Sequence, residues 1–316
     1  MQPTNRRDFF RLAGFAAAAG AVGGQPSWAA ARRIRMCLNT GNIGVQANLT
    51  QSIAMATKFG FDAVDPNPKD LAALSDSAMS ELSASMRTQN LEFGSYAQSV
   101  PVNQPDDRFA AFLKDLAVTA KTLQRARMRR FLTWLTPSDN TLTYAENLKL
   151  HAQRIGEVAK VLGDNGISIG LEYVGPKTSW SRGKYPFIHT MAGMRELIAQ
   201  LDKHNVGLLL DIWHWYNAGD TVADILHLQN EDIVAVHMSD APAGIPKDQQ
   251  VDNRRALPCS TGIIDTKGFL NALNRIGYDG PAAAEPMSQE LRQLPPEQAL
   301  AQVAAAMNKA FALIDS

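Results

Sequence analysis

Cysteine is nearly absent. Cys37 and Cys259 are the only two in 316 residues, so no disulfide framework organises the chain, and both are expected to be free, buried thiols. Net charge is absent too: 31 basic and 31 acidic residues cancel, which leaves no field to attract nucleic acid or another polyanion. No apolar stretch is long enough to span a membrane, since the one over residues 12–24 is short and rich in Gly and Ala. No Pro/Ser-rich linker divides the chain, and a single large domain is the simpler reading at this length. Also missing are a CxxC pair, an HExxH helix, a P-loop and a GxGxxG turn, so the zinc-finger, zincin and nucleotide-binding chemistries lack their usual carriers.

The first thirty residues differ from the rest. Asn5-Arg6-Arg7-Asp8-Phe9-Phe10-Arg11 precedes a mild apolar stretch and then Ser27-Trp28-Ala29-Ala30-Ala31, a small-residue cleavage pattern. These features read as a twin-arginine export signal over residues 1–31, followed by a mature domain over 32–316 that the twin-arginine machinery delivers folded to the periplasm or another exported location. A basic, Ala-rich amphipathic helix accounts less well for the paired arginines and the Ala-x-Ala end. Cleavage would remove three Arg and one Asp, and the remainder stays near neutral.

Beyond the signal, short strand-like runs alternate with longer helical patterns, which implies βαβ units and a parallel sheet. Eight runs are expected, over 34–39, 63–65, 91–96, 130–134, 167–173, 206–214, 233–238 and 281–287, with helices over 106–127, 144–162, 191–203 and 266–276 between them. Gly60, Gly163 with Asn165-Gly166, and Gly277 stand where helix ends call for a left-handed residue. The eighth run, with Ala282–Ala284, is a poor strand former on propensity and is assigned from its place after the Tyr278-Asp279-Gly280-Pro281 turn. The expected fold is a single (β/α)8 TIM barrel.

Four metal-capable side chains sit at the downstream ends of the last four runs: Glu172, Asp211, His237 and Glu285. Chemistry in a parallel barrel collects at the carboxyl ends of its strands, and three carboxylates with one imidazole form a hard O/N set suited to one divalent ion. Alone, each could be a solvated strand-end residue. Asp211 directly follows three leucines, where an unpaired charge would be costly. His214 is equally well read as a core histidine or a substrate contact, and Asp240 as the partner that orients His237 or as a turn residue before Ala241-Pro242. Trp213, Trp215 and Tyr216 could be barrel packing or faces for a sugar ring. Arg255 lies in a loop at the mouth of the barrel, where a guanidinium can hold substrate oxygens. His151, His189, His204 and His227 read as surface residues.

The motifs Gly170-Leu171-Glu172, Leu210-Asp211-Ile212-Trp213-His214, Val236-His237-Met238-Ser239-Asp240, Arg255-Ala256-Leu257-Pro258 with Gly262-Ile263-Ile264-Asp265, and Ile276-Gly277-Tyr278-Asp279-Gly280-Pro281 leading to Glu285-Pro286 resemble the xylose isomerase-like barrel superfamily, in its sugar phosphate isomerase/epimerase branch. The resemblance runs from Arg33 onward and is strongest after Gly166. It implies one divalent ion, Mn²⁺ in the first place with Mg²⁺, Co²⁺ or Zn²⁺ as alternatives, held by Glu172, Asp211, His237 and Glu285. It also implies that Glu172 and Glu285 act as the acid/base pair on a small carbohydrate, with His214 and Arg255 binding substrate hydroxyls; Trp213 and Asp240 are expected as further substrate contacts, and a homo-oligomer is compatible with the reading. Two departures stand out: Cys259 interrupts the Pro-Gly-x-Gly loop of many relatives, and Thr178 stands near the place of the ketose epimerases' second glutamate.

Three functions fit these expectations. The first is a metal-dependent isomerase or epimerase of an unphosphorylated carbohydrate, the second a lyase that eliminates the aglycone from 3-keto-glycosides with the same site. The third, of a different class, is an exported sugar-binding protein without turnover. Endonuclease IV-like repair would need a richer ligand cluster and a basic groove, which this chain lacks.

Overall fold

A computed structural model describes residues 33–315; the export signal expected over residues 1–31 lies outside the described residues. The strands are β1 (Arg35–Leu38), β2 (Ala63–Val64), β3 (Glu92–Phe93), β4 (Tyr96–Ala97), β5 (Arg130–Trp134), β6 (Ser168–Glu172), β7 (Val206–Asp211), β8 (Ile233–Met238) and β9 (Pro281–Ala284). All of them pair in parallel, in the spatial order β3-β2-β1-β9-β8-β7-β6-β5-β4. The sheet curls into a barrel because β3 and β4, at its two edges, are one strand interrupted at Gly94-Ser95. Its first half pairs with β2 and its second half with β5. The expected third run is thus present but split, and eight strand positions become nine segments.

Gly94 marks the interruption for a steric reason. A Cβ there would lie 2.5 Å from both the Asp65 Oδ1 and the Cys37 Sγ, two atoms packed beneath it. The longer helices are α1 (Leu49–Lys58), α2 (Asp76–Thr88), α3 (Asp106–Arg125), α4 (Tyr144–Gly163), α5 (Met191–Leu201), α6 (Thr266–Arg275) and α7 (Pro296–Phe311). Four match the expected spans to within two residues, while α1, α2 and α7 were not anticipated. Side-chain caps fix several starts: Asn48, Ser75, Thr143, Thr190 and Asp265 each accept from a backbone N–H of the first turn. Gly60, Gly166 and Gly277 take the expected positive φ, whereas Gly163 does not; non-glycine Cys259 also sits at φ +58°.

Strands β7 and β8 are buried at every position, as strands covered on both faces by helices must be. The Ala-rich β9 is a strand whose Ala283 packs against Cys37 and Ala63. All three of its alanines are buried, so tertiary packing overrides helical propensity. The expected run over 206–214 ends earlier, at Asp211, because Asp211 caps a short helix, Ile212–Ala218. A two-residue antiparallel pair, Ser138–Asp139 with Tyr185–Pro186, ties together the loops after β5 and β6. Cys37 and Cys259 are buried and unpaired.

Candidate active site

The strand register brings the chemistry together. Trp134 pairs with Glu172 across β5 and β6, Asp211 with His237 across β7 and β8, and His237 with Ala283, two residues short of Glu285. These side chains therefore emerge at one level of the barrel, at the carboxyl ends of adjacent strands. Asp211 is additionally fixed by its capping role. Its Oδ1 accepts from the backbone N–H groups of Trp213 at 2.6 Å and His214 at 3.0 Å, which leaves Oδ2 for the barrel axis.

Glu172, Asp211, His237 and Glu285 are all buried, and each offers a ligand atom within 4.8 Å of the other three. The His237 Nδ1 lies 3.3 Å from Glu285 Oε2, 3.6 Å from Glu172 Oε1 and 3.9 Å from Asp211 Oδ2. Bonds of about 2.1 Å to a common ion would set tetrahedral ligand atoms about 3.4 Å apart, so the spacing suits a small divalent cation. Glu172 Oε1 and His237 Nδ1 are buried without a hydrogen-bond partner. Such orphans are costly, and an ion bound by both would satisfy them. The donor set and its geometry therefore fit a metal.

Charge in this cluster is unevenly distributed. Burial works against the charged form of His237, but the adjacent carboxylates of Glu285 and Glu172 override it and hold the imidazole well above its ordinary range. Burial likewise pushes Glu285 upward, yet His237 and Arg255 beside it hold the carboxyl well below the usual range. Glu172 goes the other way: burial raises it, reinforced by Glu285 and Asp211 against the pull of His237 and His214. Two glutamates a few ångströms apart thus differ in proton affinity, the usual basis for separate acid and base roles.

Arg255 is the cation that organises the wall. Its Nη1 donates to Asp211 Oδ2 and to Glu285 Oε2, each at 2.8 Å, and its Nη2 donates to Asp252 Oδ1 at 2.7 Å. The guanidinium lies over the Trp213 ring, 4.8 Å from its centroid. His214 accepts from the Gly175 N–H through Nδ1 at 3.2 Å, so the neutral ring carries its hydrogen on Nε2. The Nε2 lies at the cavity wall, 3.2 Å from Arg255 Nη2 and 3.7 Å from Asp252 Oδ1.

A profile of the xylose isomerase-like TIM barrel family matches residues 53–310. The chain belongs to that family. An inosose isomerase of Bacillus velezensis is 21% identical over 271 residues, spanning 84% of this chain and 93% of the relative. A xylose isomerase domain protein from Alicyclobacillus acidocaldarius superposes with a TM-score of 0.74 at 28% identity, covering 89% of this chain and 99% of that one. The IolI protein with a bound zinc atom superposes with a TM-score of 0.75 at 19% identity, covering 90% of this chain and all of that one.

Within this xylose isomerase-like barrel the site opens into a cavity of about 600 Å³. Glu172, His237, Glu285, His214 and Arg255 line it. Two expected substrate contacts do not. Trp213 is fully buried and supports Arg255 from behind, so its face is unavailable to a ligand. Asp240 is fully buried as well, and its carboxylate is consumed by the backbone N–H groups of Ala241, Thr261, Gly262 and Ile264. It is the turn residue and not the orienting partner of His237. The expectation of a surface His151 is also corrected: it lies inside, against Phe187, with its Nδ1 2.9 Å from the Asn147 carbonyl. Thr178, at the place of the missing second glutamate, donates to the Gln250 carbonyl at 2.6 Å and joins two loops.

The cavity also contains residues that the sequence reading did not single out. Asn39, Asp65 and Ser95 line its other side, Asp252 stands beside His214 and Arg255, and Trp134, 47% exposed, borders it at the end of β5. Three of the expected runs end on Asn39, Asp65 and Trp134, so the strand-end rule that found the metal set would have found these too.

Proposed function

We propose that the protein is a divalent-metal-dependent isomerase or epimerase of a small, unphosphorylated carbohydrate. The observation that carries this reading is the convergence of two glutamates, Glu172 and Glu285, with Asp211 and His237 at a polar cavity large enough for a sugar. The likeness to an inosose isomerase supports a polyhydroxylated carbonyl compound as substrate.

Glu172, Asp211, His237 and Glu285 would hold the ion, Mn²⁺ in the first place. When bound, it supplies Lewis-acid polarisation of a substrate carbonyl. Glu285, kept ionised by the Arg255 guanidinium 2.8 Å away, takes the proton from the carbon next to that carbonyl. Glu172, across the cluster from Glu285, returns a proton from the opposite face. The positive charge of the Arg255 guanidinium, held at the cavity by Asp211, Glu285 and Asp252, stabilises the negative charge of the enediolate between these steps.

The test is exchange in D₂O. Metal-loaded protein incubated with a panel of ketoses, aldoses and inososes should place deuterium on a carbon next to a carbonyl, and Glu285→Gln should abolish it. Absence of exchange across the panel would sink the reading, and sugar binding without exchange would leave the third class, a binding protein.

The exposed Trp134 indole at a cavity roomier than a single sugar ring requires favours one second reading. If the substrate is a 3-keto-glycoside, the same proton abstraction expels the aglycone instead of being reversed. Free aglycone and an unsaturated sugar would identify that outcome. Export by the twin-arginine route through residues 1–31 belongs to the same proposal: the Arg6→Lys, Arg7→Lys double variant should remain in the cytoplasmic fraction.

A further inference from the structure

The wall of the cavity opposite Glu172 carries a second polar arrangement. Cys37 pairs with Ala283 and Leu38 with Val64, so Asn39 stands at the level of Glu285 on one side and of Asp65 on the other. The Asn39 Oδ1 accepts from the Asn42 backbone N–H at 3.0 Å, and its Nδ2 donates to Asp65 Oδ2 at 3.0 Å. A backbone N–H can only donate and a carboxylate only accept, so the partners themselves fix which way the amide points. Asp65 is pinned in turn. Its Oδ1 accepts from the Ser95 N–H at 2.6 Å and the Cys37 thiol at 3.2 Å, and the Ser95 hydroxyl is 3.2 Å from both carboxylate oxygens. Four donors fill that carboxylate. The amide of Asn39, by contrast, keeps one N–H to spare, and the residue is half-buried on the cavity wall.

The charge of the lining adds a second constraint. Arg255 is the one Lys or Arg among the described lining residues, and Asp211, Glu285 and Asp252 already take up its hydrogens. Asp65, Asp70, Glu172, Asp252 and Glu285 line the same space. Away from the metal site, a phosphate or a second carboxylate on the substrate would meet acidic groups without a free cation, whereas hydroxyl groups would find acceptors and donors.

We propose that Asn39, positioned by Asp65, donates its spare N–H to a substrate hydroxyl beside the reacting carbon, and that this cavity selects uncharged polyhydroxylated substrates over phosphorylated or carboxylated ones. The inference rests on the carbohydrate reading above. Its test is steady-state kinetics of the metal-loaded full chain on D-fructose, D-glucose and inososes, their mono-deoxy analogues, fructose 6-phosphate and glucuronate. Asn39→Ala should raise KM about tenfold on the sugar that is turned over, with a smaller change in kcat, as expected for losing one neutral hydrogen bond. For one deoxy analogue, which the unaltered protein should already handle poorly, the same substitution should cost nothing. Asp65→Asn keeps the side chain's size but turns one acceptor into a donor; it should lower the thermal midpoint and, assayed well below that midpoint, reproduce this pattern at a smaller scale. An equal loss on the parent sugar and on every deoxy analogue would overturn the role of Asn39. Turnover of fructose 6-phosphate or glucuronate as efficient as that of the neutral sugar would overturn the selectivity. If the unaltered protein turns over none of the sugars, the carbohydrate reading falls and this inference falls with it.

Discussion

Removing the metal from the purified protein should lower its thermal midpoint, and returning it should restore the loss by an amount the site allows to be worked out. An ion that binds the folded chain and not the unfolded one stabilises by RT ln(1 + [L]/Kd), or about 2.7 kcal/mol at a hundredfold excess over Kd. With roughly 280 residues in the barrel, an unfolding entropy of about 2.1 cal/mol/K per residue converts that into a rise of about 4–5 °C. The ligands already lie near bonding separations, with His237 Nδ1 3.3–3.9 Å from all three carboxylates, so little of the binding energy is spent on assembling the site. Differential scanning fluorimetry after chelation, followed by titration with Mn²⁺, Mg²⁺, Co²⁺ and Zn²⁺, measures the shift. His237→Ala and Glu285→Gln should each shrink it at fixed metal concentration, while Trp134→Ala should not. A shift below about 1 °C with all four ions at millimolar concentration, or an undiminished shift in His237→Ala, would refute the assignment of these four residues as a metal set.

Gly94→Ala should destabilise the barrel by about 3–5 kcal/mol in urea denaturation, combining overpacking of about 1–3 kcal/mol with disturbance of the hydrogen bonds to a charged Asp65, at about 1.5–3 kcal/mol. A cost below about 1 kcal/mol would show that the strand break has another cause. His151 should make stability pH-dependent: burial depresses its pKa to about 4, against 6.5 unfolded, so below pH 6.5 the unfolded chain takes up a proton that the folded chain refuses. Stability should then fall as pH drops from 6.5 to 4, by about 3 kcal/mol at most, and His151→Phe should flatten that window. Asp240→Ala should cost about 2–4 kcal/mol, since it strands the buried backbone N–H groups of Ala241 and Ile264 at about 1–3 kcal/mol each, and should also lower activity, because Asp240 pairs with Ala256 next to Arg255. Wild-type melting and turnover in that variant would contradict it.

Much of this was legible in the sequence for a physical reason. A strand that must be buried and end at a polar mouth writes itself as an apolar run closed by one polar residue, and Glu172, Asp211 and His237 each follow that form. What was not legible depended on neighbours distant in the chain. Nothing local distinguishes Asp211 as a helix cap as well as a ligand, Asp240 as an anchor for residues twenty positions downstream, or His151 as buried on a helix whose other faces meet solvent. Trp213 reads like a sugar platform until Arg255 is found lying across it, while the indole that does border the cavity, Trp134, closes a run in which no metal ligand drew attention. The split third strand escaped notice because Gly94 is required by Asp65 and Cys37, which come from two other strands.

That split has a consequence for how the protein would lose function under stress. The ring is closed at this point by two ladder pairs on each side, Ala63 and Val64 with β3, Phe131 and Leu132 with β4, against five between β5 and β6. Transient breathing of the fold should start at this seam, and Ser95, which lines the cavity, sits inside it. Mild heat or denaturant should therefore silence the protein while most amides of β6, β7 and β8 remain protected from hydrogen exchange, so that inactivation precedes melting.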